Sequence, residues 1–282
     1  MMKSKHDIWV AFPDSLLSEA PSLREKTVKV GTVARICSIF GISRIYIYDL
    51  ERSMFDKEGR LLQTLLEYIE TPQYLRKRIY REDNNLQFTG IMPPLRTPNH
   101  KLMIEPSELK EGDIREAVVV KSGGGFYVDA GLSNLIPLES PGKENTRVTV
   151  KFKSVHQRML CEIISRKDID EYWGYQVKIA PTLGRLIKSL KCNTVILTSV
   201  KGISIEKSWK EISERLKESD KTLIVFGSAS KGIFEILSEE DVNPNHVSDF
   251  IVNTVPDQNV STVRTEEALN ITLGILNILS HI

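Results

Sequence analysis

Thr194-Val-Ile-Leu-Thr198 runs into Ser199-Val-Lys-Gly202, Thr222-Leu-Ile-Val-Phe226 into Gly227-Ser-Ala-Ser-Lys-Gly232, and Asp249-Phe-Ile-Val-Asn253 into Thr254-Val-Pro-Asp-Gln258. Each stretch is a short, nearly unbroken apolar run that gives way to small and polar residues. Apolar runs of this kind predict strands of a parallel sheet, buried on both faces. Open α/β sheets bind ligands just beyond the carboxyl ends of such strands. Three adjacent loops there build one pocket mostly from backbone groups, which suits a small cofactor with many hydrogen-bonding edges.

The same α/β texture opens the chain. Ile8 to Phe12 reads as a buried strand, and Val30, Val33, Ala34 and Cys37 mark one face of a helix. Arg44-Ile-Tyr-Ile-Tyr48, ending at Asp49, reads as a second strand, and Leu62, Leu65, Leu66 and Ile69 as a second helix. Thr71-Pro72 breaks that helix and is predicted to cap a new one, with Thr at N-cap and Pro at N1. The pattern changes near Phe88, where the three prolines of Met92-Pro-Pro-Leu-Arg-Thr-Pro98 exclude a regular element. From Ile114 to Ser165 only short β-runs appear: Ala117–Val120, Phe126–Asp129, Arg147–Lys151 and Met159–Ile164. Gly123-Gly-Gly125 is read as a hairpin turn, because a phosphate cradle needs a helix after it and none follows. Such a run of strands resembles a small barrel of the OB type. The α/β pattern returns at Leu183, with Leu186, Ile187 and Leu190 on one helical face and Trp209, Ile212 and Leu216 on another. The predicted organisation is a discontinuous α/β domain, 1–90 and 168–282, with a barrel of 91–167 inserted between its parts.

The bulk numbers narrow the function. A chain of 282 residues, 41% hydrophobic and 27% charged, has the length for a full core and more than one domain. A net charge of +1 excludes a polycation as a whole, but the charge is unevenly spread. From Tyr74 to Lys101 there are six Lys/Arg against two acids, and from Glu235 to Glu267 eight acids against one base, Arg264. Cys37, Cys161 and Cys192 are isolated among apolar residues, which reads as buried thiols and predicts no metal. The first apolar run is too short for a signal sequence and no window reaches the length of a membrane span, so a cytoplasmic protein that makes no use of a membrane is predicted. A Rossmann nucleotide enzyme fits poorly, because no GxGxxG follows the first strand.

The last helix departs from the usual amphipathic pattern. Leu269, Ile271, Leu273, Ile275, Leu276, Ile278 and Leu279 cover most of its circumference. A helix so widely apolar is buried on more than one side, which predicts packing on its own sheet and on a second subunit.

Thr262-Val-Arg-Thr-Glu-Glu-Ala268, following Asn253-Thr-Val-Pro-Asp-Gln258, resembles SPOUT-class RNA methyltransferases. Phe226-Gly-Ser-x-Ser-Lys-Gly232, Thr71-Pro-Gln-Tyr-Leu-Arg-Lys77, Pro93-Pro-Leu-Arg-Thr-Pro-x-His100 and Tyr172-Trp-Gly-Tyr175 extend the resemblance over nearly the whole chain. Together they are similar to the archaeal and eukaryotic subfamily with an OB-like insertion, tied to N3-methylation of uridine in large-subunit ribosomal RNA. The resemblance implies a trefoil-knotted α/β domain, an obligate homodimer, and S-adenosylmethionine bent against the knot.

On that basis the cofactor-binding candidates are Thr198, Ser199 and Gly202; Phe226, Gly227, Ser228, Ser230, Lys231 and Gly232; and Asn253, Thr254, Val255, Pro256, Gln258, Val260, Thr262 and Val263. Each loop taken singly also reads as an ordinary βα turn with Ser/Gly caps. The catalytic candidates are Arg264, Glu267, Arg96 and His100. Arg264 is either a substrate contact or an ion-pair partner of Glu266, Glu267 or Asp257. Glu267 is either a general base or a charge at a helix N-terminus, the commoner role. Uridine N3 must lose a proton, so a base or water relay is required, and His100 is the one histidine inside a recognised motif. Arg76, Lys77, Arg78, Arg96, Lys151, Lys153 and Arg158 suit an RNA backbone, with the plain alternative of a solvated basic face. Tyr127, Phe126 and Phe152 could stack bases, although barrel aromatics mostly fill cores. Because no general base stands out, a non-catalytic RNA-binding or assembly factor on the same fold is the alternative function.

Overall fold

The computed structural model describes residues 7–50, 57–80, 83–155 and 158–281. Along the chain these form β1 (Asp7–Pro13), α1 (Leu23–Ile39), β2 (Arg44–Tyr48), α2 (Lys57–Glu70), α3 (Gln73–Ile79), β3 (Ile114–Ser122), β4 (Gly125–Asp129), β5 (Ile136–Pro137), β6 (Arg147–Val155), β7 (Arg158–Ile164), β8 (Gln176–Ala180), α4 (Leu183–Ser189), β9 (Thr194–Ser204), α5 (Ile205–Glu218), β10 (Lys221–Val225), α6 (Ile233–Ser238), β11 (Phe250–Asn253) and α7 (Thr265–Leu279). Described residues within 7–69, 85–95 and 174–281 make one compact unit, and those within 70–84 and 96–173 a second.

The first unit is a mixed α/β layer structure on a six-stranded parallel sheet, ordered β11-β9-β10-β1-β2-β8. Side chains alternate between its two faces. Val10, Phe12, Ile45, Ile47, Ile196 and Ile224 face a core shared with α1, α2, α5 and α7. Trp9, Ala11, Tyr46, Tyr48, Leu223 and Val225 face a second core shared with α4 and α6. Helix α1 starts at a capping box: Ser22 Oγ accepts from the Glu25 amide at 3.2 Å, and the Glu25 carboxylate accepts from the Ser22 amide at 3.1 Å.

Two strands differ from the sequence reading. β9 does not stop at Thr198 but continues to Ser204, and its pairing with β11 jumps from Leu197 to Ile203. The segment that reads as a loop is an excursion within one strand, which returns to the sheet where Gly202 passes the β11 backbone. A Cβ on Gly202 would lie 2.6 Å from the Val252 carbonyl carbon, so only glycine passes there. β8 escapes the sequence pattern because it is an edge strand whose Gln176, Lys178 and Ile179 are exposed.

The second unit carries a five-stranded antiparallel sheet, β5-β4-β3-β6-β7, brought toward a barrel by a bridge between Leu138 and Cys161. The glycine run is the predicted hairpin turn: Ser122 pairs with Gly125, and Gly123 and Gly124 have φ of 54° and 81°. Val119, Val128, Val150, Phe152 and Cys161 fill the interior, so Phe152 is a core residue and not a stacking platform. Thr71 is not the cap of α3; Pro72 occupies that position, and the Thr71 hydroxyl accepts from Arg147 Nη1 at 3.1 Å.

Arg147 belongs to a buried charge cluster. Its Nη1 lies 2.6 Å from Glu70 Oε2, its Nε lies 2.5 Å from Glu116 Oε2, and Arg166 Nη2 reaches the same Glu116 oxygen at 2.9 Å. The Trp173 indole and the Thr149 hydroxyl donate to Glu116 Oε1, both at 2.6 Å, and Asn99 donates to Glu70 at 3.0 Å. Burial disfavours both carboxylates, yet Arg147 and Arg166 hold Glu116 below its ordinary pKa. For Glu70, burial outweighs the same two arginines and its pKa is raised. Trp173 thus anchors within this unit, while the Tyr175 hydroxyl donates to the Leu66 carbonyl in the first.

Candidate active site

The candidate segments are the excursion within β9 and the loops at the carboxyl ends of β10 and β11, and side-chain hydrogen bonds tie them together. Thr198 Oγ1 donates to the Val225 carbonyl at 2.9 Å, joining the β9 excursion to the end of β10. The buried Tyr48 hydroxyl donates to the Phe226 carbonyl at 2.7 Å. Gly227 O accepts from Thr265 Oγ1 at 3.1 Å, fastening the β10 loop to the first residue of α7. Thr254 and Thr272 share a buried hydroxyl–hydroxyl bond of 2.8 Å, fastening the β11 loop to the body of the same helix.

Each loop is also folded on itself. Ser228 Oγ accepts from the Lys231 amide at 2.8 Å and the Ser228 amide donates to the Lys231 carbonyl at 3.0 Å, closing a turn that presents Ser230 and Gly232 outward. Asn253 Oδ1 accepts from the Val255 amide at 3.0 Å and its Nδ2 donates to the Val200 carbonyl at 3.3 Å. Gln258 Nε2 donates to the Val260 carbonyl at 2.9 Å, and Asp257 sits at φ 57° after Pro256. Ser199 and Val263 are half-buried and Thr262 is exposed. Val200, Ile203 and Val260 leave aliphatic surface open on these loops. Gly232 has no heavy atom within 4 Å of where a Cβ would stand, so the space beside it is open. Backbone edges, open space at a glycine and aliphatic surface together fit a small ligand that has an apolar face and a polar edge.

Arg264 precedes α7 and is exposed; among the described residues no carboxylate pairs with its guanidinium. Of its three candidate ion-pair partners, Glu266 is held by Lys29 at 3.0 Å. Glu267 Oε2 accepts from the Arg264 amide at 2.9 Å, which is the N-terminal role weighed for it.

Arg96 and His100 belong to the second unit. Arg96 is exposed at φ 54°. His100 Nε2 lies 2.8 Å from the Glu70 carbonyl, so that nitrogen donates its hydrogen. Burial lowers the ring's pKa to about 4; the bond to Glu70 opposes this and the charges of Arg76 and Arg147 add to it. Of the RNA candidates, Lys77 and Lys151 are exposed. Arg76 Nε donates to the Thr71 carbonyl at 2.9 Å, and Arg78 pairs with Asp129 at 3.1 Å. Lys153 pairs with Glu162 at 2.6 Å, and the Arg158 side chain lies outside those described. Burial pushes the thiols of Cys161 and Cys192 up to about 12 and about 11, and that of Cys37 higher still, so none is a nucleophile near neutral pH. Among the described residues no group of His, Cys, Asp and Glu is arranged to hold a metal ion, and no helix is long and apolar enough to cross a membrane.

Tyr48 and Thr265 were not found from sequence. Tyr48 reads only as the last residue of a strand, and nothing local marks a contact made 178 positions away.

Residues 7–276 match the family described as "Putative RNA methyltransferase", and the chain belongs to that family. It is an RNA methyltransferase, an enzyme that needs a methyl donor. Among its relatives are the human and mouse proteins named 28S rRNA (uridine-N(3))-methyltransferase. The human protein is 30% identical over 95% of this chain and 77% of its own length, and the mouse protein is 32% identical over 95% and 75%. A Halobacterium salinarum protein is 30% identical over 95% of this chain and 98% of its own length.

Proposed function

We propose that this enzyme methylates N3 of a uridine in large-subunit ribosomal RNA with S-adenosylmethionine, as a homodimer whose α/β domain is trefoil-knotted and whose OB-like barrel grips the RNA. The observation that carries the reading is the set of three loops tied to one another through Thr198, Thr265 and Thr254, with open space at Gly232. The names of the human and mouse relatives support the choice of uridine N3.

S-adenosylmethionine supplies an electrophilic methyl group when bound. The chain's part is position and electrostatics. Backbone groups at Phe226–Gly232 and Asn253–Val260 orient the donor. Arg264, which has no carboxylate partner among the described residues, holds the uracil or its phosphate, and a cation beside the ring favours loss of the N3 proton. The dimer reading is supported by α7, which buries Leu269, Leu273, Leu276 and Leu279 yet leaves Ile271 and Ile278 38% and 61% exposed.

Calorimetric titration with S-adenosylmethionine and S-adenosylhomocysteine, followed by nucleoside mass spectrometry of ribosomal RNA from a deletion strain, tests the reading. The expected result is saturable binding and loss of one N3-methyluridine. Binding of neither ligand, or an unchanged nucleoside profile, would overturn it.

A further inference from the structure

The stretch from Tyr172 to Ile205 contains five bases and no acid. Four of these, Lys178, Arg185, Lys188 and Lys191, come from β8, α4 and the turn after it, within the first unit. All four are exposed, and among the described residues none has an ion-pair partner. Lys178, Arg185 and Lys188 lie in one layer. Lys178 is paired with Tyr46 and Ala180 with Tyr48, so Lys178 projects from the sheet face that α4 covers through Leu183, Leu186 and Ile187. Arg185 and Lys188 stand three apart on the outer side of α4 and face solvent together.

Elsewhere several cations are paired: Lys26, Lys29, Arg78, Lys153, Arg215 and Lys231 each meet a carboxylate of the chain. Acids do stand nearby, at a cavity of about 720 Å³ that Arg185 and Lys188 share with Asp49, Glu239, Glu240 and Asp241. Of these four, Asp49 is buried, Glu239 is engaged with Lys231 at 2.8 Å, and Glu240 with the Thr182 hydroxyl at 2.6 Å and the Gly184 amide at 2.9 Å.

We propose that the β8–α4 face is a second RNA-binding surface, on the α/β unit and separate from the barrel, that tracks the phosphate backbone. The proposal rests on RNA as the substrate. Exposed cations with no internal partner and no acid in their segment are what a polyanion neutralises, and they confer affinity without base specificity.

The test is a quadruple variant of the full chain, Lys178→Gln, Arg185→Gln, Lys188→Gln and Lys191→Gln, beside the wild type. Affinity for a ribosomal RNA fragment is measured from about 50 to 200 mM salt, with S-adenosylmethionine binding and Tm as controls. The expected result is an unchanged Tm and cofactor affinity, RNA affinity down roughly 100-fold or more near 0.1 M salt, and a salt slope shallower by about 2 to 3. Wild-type binding with an identical slope in the variant would overturn this surface alone and leave the face to an acidic protein. Failure of the wild type to bind RNA at any salt would overturn both the surface and the substrate reading on which it rests.

Discussion

The hydroxyl of Tyr48 donates to the carbonyl of Phe226 at 2.7 Å, inside the protein. The bond joins the end of β2 to the start of the β10 loop, across β1. Tyr48→Phe removes a donor from a buried carbonyl and is expected to cost about 1–3 kcal/mol. It should also weaken binding of S-adenosylmethionine, because the loop loses the bond that sets its first residue. Thermal unfolding and calorimetry of the variant check both; equal cofactor affinity in wild type and variant would remove Tyr48 from the site.

Gly202 and Gly232 separate fold from ligand. A Cβ at 202 meets the β11 backbone, so Gly202→Ala should destabilise the protein by about 1–3 kcal/mol. A Cβ at 232 has no heavy atom of the described residues within 4 Å, so Gly232→Val should leave Tm nearly unchanged while occupying the open space. Loss of cofactor binding in the stable Gly232→Val protein is the expected outcome. Full binding there would mean that the cofactor lies elsewhere.

Arg147 neutralises two buried carboxylates, Glu70 and Glu116. Arg147→Met leaves them facing only Arg166 and is expected to cost about 3–5 kcal/mol. Because these residues lie in the second unit, the loss should be read as early melting of that unit, with slower hydrogen exchange retained in the parallel sheet. Uniform melting of both units would show that the cluster does not act on the second unit alone.

His100 titrates at about 4, below its ordinary value, because burial disfavours the charged ring. A histidine that is harder to protonate when folded contributes stability at neutral pH, and that stability is lost as pH falls from about 6.5 through 4. His100→Gln should therefore flatten the stability profile between those limits. An activity profile that still turns on near pH 4 in this variant would show that the ring is not the base.

Glu267 serves the N-terminus of α7 through one carboxylate oxygen. Glu267→Gln keeps an acceptor there and should preserve both Tm and methyl transfer, whereas Glu267→Ala should lower stability by about 0.5–2 kcal/mol. Loss of turnover in a stable Glu267→Gln protein would instead make Glu267 catalytic.

Much of this was legible in the residues. The apolar runs at 8–12, 44–48 and 222–226 became strands because burial on both faces leaves no polar alternation, and the glycine run became a turn because only glycine takes two consecutive positive φ values cheaply. β8 was missed because an edge strand carries polar residues, as at Gln176 and Lys178. The extension of β9 was missed because Ser199-Val-Lys-Gly202 has loop composition, while its strand geometry depends on a neighbour 50 positions downstream. Thr71 was read as a cap because the local Thr-Pro pair favours one, but a buried guanidinium claimed its hydroxyl first.

The sequence by itself determined the α/β class, the run of short strands after Ile114, the polar segments after the β10 and β11 apolar runs and the resemblance to RNA methyltransferases, because hydrophobic period and short motifs are local properties. Only the tertiary structure decided which segments touch, that Tyr48 and Thr265 hold the β10 loop, and that His100 is committed to Glu70 while Arg264 has no carboxylate partner among the described residues. Those outcomes depend on contacts between residues far apart in the chain, where burial and charge decide which partner each group takes.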